Sequence, residues 1–350
     1  MSDTDSSAKR LTPKAIVRHL DLDVIGQDEA KKTLAVAIYS HQRKLANAQA
    51  SGQLAVKSNI LVIGPSGTGK TLLCETLARF LDLPFISADA TALAQTRYVN
   101  EEIEAILQRL LDAADGDLAR AQRGIVFFDE IDKLKAPAGD ARGASGESVQ
   151  HALLRIMEGS LIRLRSQDSA GNATYIDTSG ILFICGGAFV GLDEIMSRNR
   201  SYGFISTSGT DDRTILDRLN SRVKPTDLMG FGLIPEFTGR LPVIARLDEL
   251  DRAALVRIMT EPRNSLYRQC QEVFAAEGVE LEIEARVFEE IAELALEYRT
   301  GARSLRGIFE ELITPILYVV PDQPEIRKVV LTSLFSGPTI TRQRTNTDRA

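Results

Sequence analysis

An α/β fold built on a parallel sheet, followed by a smaller and mostly helical domain, is what this sequence predicts. Three observations carry that expectation: short apolar runs alternate with helical patterns, a glycine-rich turn joins the first such run to a helix, and long helical patterns take over from Asp248 onward. Strands that alternate with helices pair side by side through crossovers, which makes the sheet parallel and covers both its faces. The 350 residues exceed one typical core and suffice for a larger and a smaller domain.

The elements follow in order. Thr12-Pro13 opens a helical pattern, and Gln27 to Leu45 forms a second, with Ala30, Leu34, Ala37, Ile38, His41 and Leu45 on one face. After a short linker, Ala46 to Lys57, strands are expected at Asn59 to Ile63, Pro84 to Ala88 and Ile125 to Phe128, with helices Thr71 to Leu81 and Glu101 to Ala114 between them. Further strands at Ile181 to Cys185 and Leu241 to Leu247 bring the sheet to five. The polar stretch Ser197 to Asp212 reads as a surface loop. Beyond Asp248, Val287, Ile291, Leu294, Ala295 and Tyr298 recur at helical spacing, and Gly301 is placed to end that helix. The expected division is a helical lead-in over 1–57, a large domain over 58–247, a small domain over 248–335 and a polar tail over 336–350.

Composition narrows the class. With 44% hydrophobic and 26% charged residues, disordered and collagen-like chains are excluded. A net charge of −6 argues against a strongly basic nucleic-acid surface. Spanning a bilayer takes roughly 18 to 20 apolar residues. The best candidate, Gly180 to Leu192, is shorter and contains four glycines, so no membrane partner is expected. Met1 to Arg10 is polar and lacks an apolar segment, which points to the cytoplasm. Cys74, Cys185 and Cys270 are far apart and give no zinc-site spacing; all three read as small core fillers.

The chemistry is carried by two motifs. Gly64-Pro65-Ser66-Gly67-Thr68-Gly69-Lys70-Thr71 satisfies G-x-x-x-x-G-K-[ST] between an apolar strand and a helix. Glycines let backbone N–H groups turn inward on phosphates, Lys70 reaches the β- and γ-phosphates, and the Thr71 hydroxyl is placed for Mg²⁺. Leu72, next in the helix, is grouped with this ATP site. Ile125 to Phe128 then ends in Asp129 and Glu130. An acid at the end of a parallel strand faces the same crevice, where Asp129 holds Mg²⁺ through water and Glu130 orients or deprotonates the attacking water. One strand, Pro84 to Ala88, intervenes, which with the adjacent glutamate points to a hydrolase rather than a small-molecule kinase.

With those motifs in place the chain resembles the AAA+ ATPases of the Clp/HSP100 class, and within them the ClpX unfoldase family, over about Leu11 to Val330. Asp23-Val24-Ile25-Gly26-Gln27 matches the family's adenine-pocket segment, which implies nucleotide contacts for Val24 and Ile25. Gly232 to Pro242 is similar to its arginine-finger segment, with Arg240 in the finger position. Gly301 to Arg306 is similar to its second sensor, with Arg303 at the nucleotide. An arginine supplied by a neighbour stabilises the transferring phosphoryl group, so Arg240 implies an oligomer, by resemblance a homo-hexamer. Lys70 and Asp129 are only 59 positions apart, which leaves no room for the long insertion of the HslU relative.

The resemblance also implies a substrate grip and a partner. Tyr98 and Val99 stand where the family presents an aromatic-aliphatic pair to the axial channel, although Arg97 and Asn100 replace glycines. Ala144 to Gln150 resembles the second pore loop, with Gln150 and His151 entering a helix. Tyr202-Gly203-Phe204 stands in for the aliphatic-Gly-Phe tripeptide that docks on the peptidase ClpP. The family's cysteine-rich zinc domain and its Arg-Lys-His loop are missing, with Arg163 and Arg165 left to supply positive charge. The expected function is an ATP-dependent protein unfoldase that uses ATP and Mg²⁺ but no zinc and feeds protein substrates to a ClpP-type peptidase. The alternatives are a protease-independent remodelling chaperone and, against the acidic balance, a nucleic-acid motor. No G-x-S-x-G or H-E-x-x-H motif occurs, so cleavage has to come from a partner.

Overall fold

The computed structural model describes residues 11–51, 57–96, 98–135, 146–164, 174–200 and 222–343. Two units divide the chain: Met1–Val17, Asp28–Pro65 and Lys70–Leu247 form the first, and Arg18–Gln27, Ser66–Gly69 and Asp248–Ala350 the second.

The first unit contains strands β1 (Ile60–Ile63), β2 (Phe85–Asp89), β3 (Ile125–Asp129), β4 (Leu161–Leu164), β5 (Thr174–Asp177), β6 (Leu182–Gly187) and β7 (Val243–Arg246). Five of them make one sheet in the order β2-β3-β6-β1-β7, and every pairing is parallel. Strands covered on both faces have no wet side, so they read as unbroken apolar runs. Ile60-Leu61-Val62-Ile63 and Ile125 to Phe128 are buried throughout. The helix Val99–Asp112 buries Ile103, Ile106, Leu107 and Leu110 at helical spacing against a core that includes Leu61, Ile63, Val126, Phe128 and Phe183. Phe128 and Phe183 stack across β3 and β6 with centroids 6.1 Å apart.

The helix Asp28–Ser51 starts with Asp28 and Glu29 at its positive end. It buries Ala30, Leu34, Ala37, Ile38 and Leu45 as the apolar face requires, and His41 with them. A second helix, Leu192–Arg200, occupies the start of the stretch read as a surface loop, which shortens that expectation; 201–221 lie outside the described residues. The antiparallel β4–β5 pair, Leu161↔Asp177 to Leu164↔Thr174, has no counterpart in the sequence reading. β4 shows why: only Leu164 is buried in it, so no clean period-2 signal exists.

The second unit packs helices Arg252–Thr260, Leu266–Ala276, Ala285–Glu297 and Arg303–Leu317 with β8 (Glu280–Ile283), β9 (Ile326–Leu331) and β10 (Thr339–Arg342). The sheet order is β10-β9-β8, parallel between β8 and β9 and antiparallel between β9 and β10. Leu255, Phe274, Leu281, Ile291, Phe309 and Val329 belong to its core. β10 lies within the stretch expected as polar tail; its four exposed residues carry no apolar pattern, and pairing with β9 orders them, with Arg342 also reaching Gln323 and Glu325. The helix containing Val287 ends at Glu297 rather than at Gly301, because Arg299 already takes a left-handed backbone with φ 52°. Cys74 and Cys185 are buried as expected, but Cys270 is only half-buried, beside Arg306 and Glu310. Among the described residues no helix is long and apolar enough to cross a membrane.

Burial makes His41 a pH-sensitive part of the first unit. Its ring Nε2 lies 3.2 Å from the Gly180 carbonyl, and desolvation lowers its pKa from 6.5 to about 4, with Lys57 and Lys44 adding to the effect. The unfolded chain therefore takes up this proton first, and stability is lost as pH falls from 6.5 to about 4, with nothing further from this group below that. Denaturant midpoints of wild type and His41→Asn across that window check this: the variant should show the shallower decline, and parallel curves would discount His41.

Candidate nucleotide site

A parallel sheet collects the carboxyl ends of its strands along one edge, and the site grows from that edge. β1 stops at Ile63, and the Gly64 N–H donates to the Gly187 carbonyl at the end of β6, 3.1 Å away. The chain then turns through Gly67 and Gly69, whose φ of 76° and 93° lie where a side chain is strained. It enters the helix Lys70–Phe80 directly, so the unsatisfied N–H groups and positive end of that helix sit beside the turn and attract an anion.

Lys70 is buried to 9% exposure, and its Nζ donates to the Gly64 and Pro65 carbonyls at 2.7 and 3.0 Å. The ammonium is thus held over its own loop, on acceptors that a phosphate oxygen can replace. The Thr71 hydroxyl donates to Asp129 Oδ2 at 3.3 Å, while Asp129 Oδ1 accepts the Glu130 N–H at 2.9 Å. A hydroxyl beside a carboxylate at a phosphate loop is a hard-oxygen set, and it fits magnesium chemistry. Glu130 has φ 57°, a left-handed backbone that costs a non-glycine residue about 1 kcal/mol or more. Backbone shape alone favours glycine or asparagine there.

One contributor is absent from the sequence reading. Asp132 is 3% exposed and accepts the Ala188 and Phe189 N–H groups at 3.2 and 3.4 Å, which ties the turn after β6 to the end of β3. The signal was available as a third acid two positions after Glu130. Cys74 lies buried in the first turns after the loop; burial first and the Asp129 charge second push its thiol up, and burial pushes Cys185 up to about 12. Both thiols are therefore inert near neutrality.

The remaining predicted residues fall in several places. Val24 and Ile25 are buried in the second unit, where Gln27 exchanges two hydrogen bonds with the Asp248 backbone, at 2.8 and 2.9 Å. The loop tip Ser66–Gly69 belongs to that unit too, and within it the Ala302 N–H donates to the Gly67 carbonyl at 3.1 Å. Arg303, the next residue, opens its helix and is exposed. Thr68 is buried, whereas Leu72 is 45% exposed and turns away from the core. Tyr98 stands 66% exposed at the start of Val99–Asp112, while Val99 packs on the core, so the pair points two ways. Gln150 is wholly buried: its Nε2 donates to the Leu134 carbonyl at 2.9 Å and its Oε1 accepts the Ile234 N–H at 2.8 Å. Arg97, Ala144, Ser145, Arg165, Tyr202, Gly203 and Phe204 lie outside the described residues.

Arg240 caps the short helix Pro235–Gly239, and its Nε donates to Glu158 Oε1 at 2.9 Å. Asn59, just before β1, donates from Nδ2 to the Arg240 carbonyl at 3.2 Å. Because β1 and β7 run parallel in the register Ile60↔Val243 to Ile63↔Arg246, Arg240 belongs to the amino edge of the sheet. Gly64 leaves the opposite edge, and four residues of strand span about 13 Å. Arg240 and its own phosphate loop are thus at opposite ends of β1.

Residues 55–244 match the family model of the AAA domain (Cdc48 subfamily), and residues 250–330 match that of the C-terminal, D2-small domain, of ClpB protein. The chain is 46% identical over 342 residues to the ATP-dependent Clp protease ATP-binding subunit ClpX 3 of Methylococcus capsulatus, covering 91% of this chain and 79% of that relative. It belongs to the ClpX family of AAA+ ATPases. The ClpX subunit of Azotobacter vinelandii is 45% identical over 91% of this chain and 77% of its own, and that of Borrelia duttonii 43% over 92% and 77%. The chain is accordingly an ATP-binding ATPase. Lys70→Ala should weaken ATP binding at least about tenfold. Glu130→Gln should bind ATP normally and hydrolyse it about 100-fold or more slowly. Calorimetry together with phosphate release checks both, and unchanged turnover in Glu130→Gln would remove that carboxylate from the chemistry.

Proposed function

We propose that this chain is a cytoplasmic protein unfoldase that works as a homo-hexameric ring, hydrolyses MgATP at sites shared between neighbours, and delivers protein substrates to a ClpP-type peptidase. The large domain over 58–247 supplies the loop and the carboxylates, and the small domain over 248–335 supplies Arg303. The observation that carries the shared site is the separation of Arg240 from its own loop by the length of β1. A guanidinium on the amino edge serves a phosphate only when a second subunit brings one to it.

In this reading the helix N-terminus and Lys70 bind and orient the β- and γ-phosphates, and Glu130 takes the proton of the attacking water. Thr71 and Asp129 would hold magnesium, which supplies charge neutralisation on the phosphate oxygens when bound. Arg240 of the next subunit stabilises charge on the departing phosphoryl group, and Arg303 couples the small domain to nucleotide state. Exposed Tyr98 offers an apolar face that grips extended polypeptide without reading its sequence. Tyr202, Gly203 and Phe204 are assigned to the peptidase contact by resemblance alone.

Subunit mixing tests the shared site. Arg240→Ala and Glu130→Gln should each be nearly inactive, yet mixed rings contain interfaces that join an intact Glu130 to an intact Arg240, so ATPase should reappear on mixing. Mixtures as dead as their components would sink the arrangement. A folded fluorescent protein then tests the work: its loss should require this chain, ATP and added ClpP-type peptidase together, and Tyr98→Ala should slow it severalfold while ATP turnover continues. Loss of native fluorescence without any peptidase-dependent fragments would favour the remodelling chaperone instead.

A further inference from the structure

The acidic and amide groups around Arg240 form an arrangement that the nucleotide chemistry so far has not used. Arg240 is fixed at both ends to one place, the last turn of the helix Gly146–Glu158. On the main-chain side, Asn59 is 1% exposed and its Nδ2 donates to the Met157 carbonyl at 3.3 Å and to the Arg240 carbonyl at 3.2 Å, bridging the two segments. On the side-chain side, Glu158 follows Met157 and its Oε1 accepts the Arg240 Nε–H at 2.9 Å and forms an ion pair with Nη2.

The turn itself is well held. The Ile156 carbonyl accepts from Thr178 Oγ1 at 2.8 Å and from Lys57 Nζ at 3.1 Å, and Thr178 is fully buried. Glu158 therefore projects from a fixed point, although its own side chain is 43% exposed and that of Arg240 53% exposed. A guanidinium gripped along its Nε–Nη2 edge keeps the Nη1 hydrogens and the outer Nη2 hydrogen for a further acceptor. An arginine left ungripped must be ordered, at the expense of rotamer entropy, each time it meets a phosphate.

We infer that Glu158 is a positioning residue for Arg240: it holds the guanidinium by one edge, on a platform tied down by Asn59, so that the other edge is presented to nucleotide on the neighbouring subunit. This rests on the reading that Arg240 acts across a subunit interface. Glu158 touches no substrate atom in this arrangement and acts only through the arginine.

A double-mutant cycle on the full-length ring tests it, with ATP turnover, KM for ATP and ring size measured together. Glu158→Ala should lower kcat on the order of 10-fold to 100-fold, the range that misplacing a catalytic group produces. KM for ATP, ring size by sedimentation and the thermal midpoint should stay unchanged, since a half-exposed ion pair contributes little to stability. Glu158→Gln, which keeps a neutral acceptor at the same reach, should recover part of the lost kcat. In an Arg240→Ala background, Glu158→Ala should add nothing further.

The outcomes separate the two claims. If Arg240→Ala leaves turnover intact, the trans-arginine reading fails. If Arg240→Ala is inactive but Glu158→Ala is fully active, or lowers turnover to the same extent whether or not Arg240 is present, the positioning role is overturned. A Glu158→Ala ring faster than wild type also overturns it, because Glu158 would then be withholding the arginine.

Discussion

The placement of β1 between β6 and β7 is the constraint on which the rest depends. Its backbone is hydrogen-bonded on both sides, in the registers Ile60↔Ile184 and Ile60↔Val243, and its four side chains are all buried. Register in a strand buried on both faces is strongly specified, because sliding by one residue exchanges every side chain between the two faces. Once β1 is set, its carboxyl end fixes where Gly64 meets Gly187, and its amino end fixes where Asn59 meets Met157 and Arg240. Gly64, where the phosphate loop begins, and the arginine segment therefore lie at the two ends of β1, on opposite edges of the sheet.

Much of this was legible because the signals are local. A strand covered on both faces must be apolar throughout, which marks Ile60 to Ile63 and Ile125 to Phe128 without any knowledge of their neighbours. The loop glycines are legible for a similar reason, since Gly67 and Gly69 need backbone angles that other residues adopt at a cost. The elements that escaped lack such marks. β10 is exposed along its whole length and pairs with β9, and in β4 only one of four residues is buried. Pairing between consecutive strands leaves little trace in the residues themselves when few of their side chains are buried.

The site divides along the same line. Lys70, Thr71, Asp129 and Glu130 come from two contiguous motifs whose spacing to strand and helix is itself the signal. Gln150 and Asp132 come from no motif of binding chemistry, and their work is to satisfy backbone groups of distant segments: Leu134 and Ile234 for the amide, Ala188 and Phe189 for the carboxylate. Buried polar side chains of this kind are costly when unpaired and stabilising when paired, so they hold loops in one arrangement. Family resemblance placed Gln150 at the end of a second pore-loop segment; its side chain is completely buried and faces inward.

The distribution of burial around Arg240 explains how one residue can be both fixed and available. Its carbonyl is held by a nearly inaccessible amide, and each such neutral hydrogen bond is worth roughly 1 kcal/mol net while its loss leaves a buried group unsatisfied at about 1–3 kcal/mol. Beneath the helix end, Lys57 sits over the Phe183 ring at 4.8 Å, with burial lowering its pKa to about 7 despite Asp177. An ammonium at a helix carboxyl end is favoured by the dipole, so this position tolerates the charge that burial opposes. The guanidinium and Glu158, by contrast, are both half-exposed, where an ion pair contributes about 0–1 kcal/mol. Such a pair is too weak to be explained as a device for stability. It orients one guanidinium edge and leaves the half-exposed remainder facing solvent while the backbone beneath it does not move, which is what a side chain needs if it must meet a phosphate that arrives with another subunit.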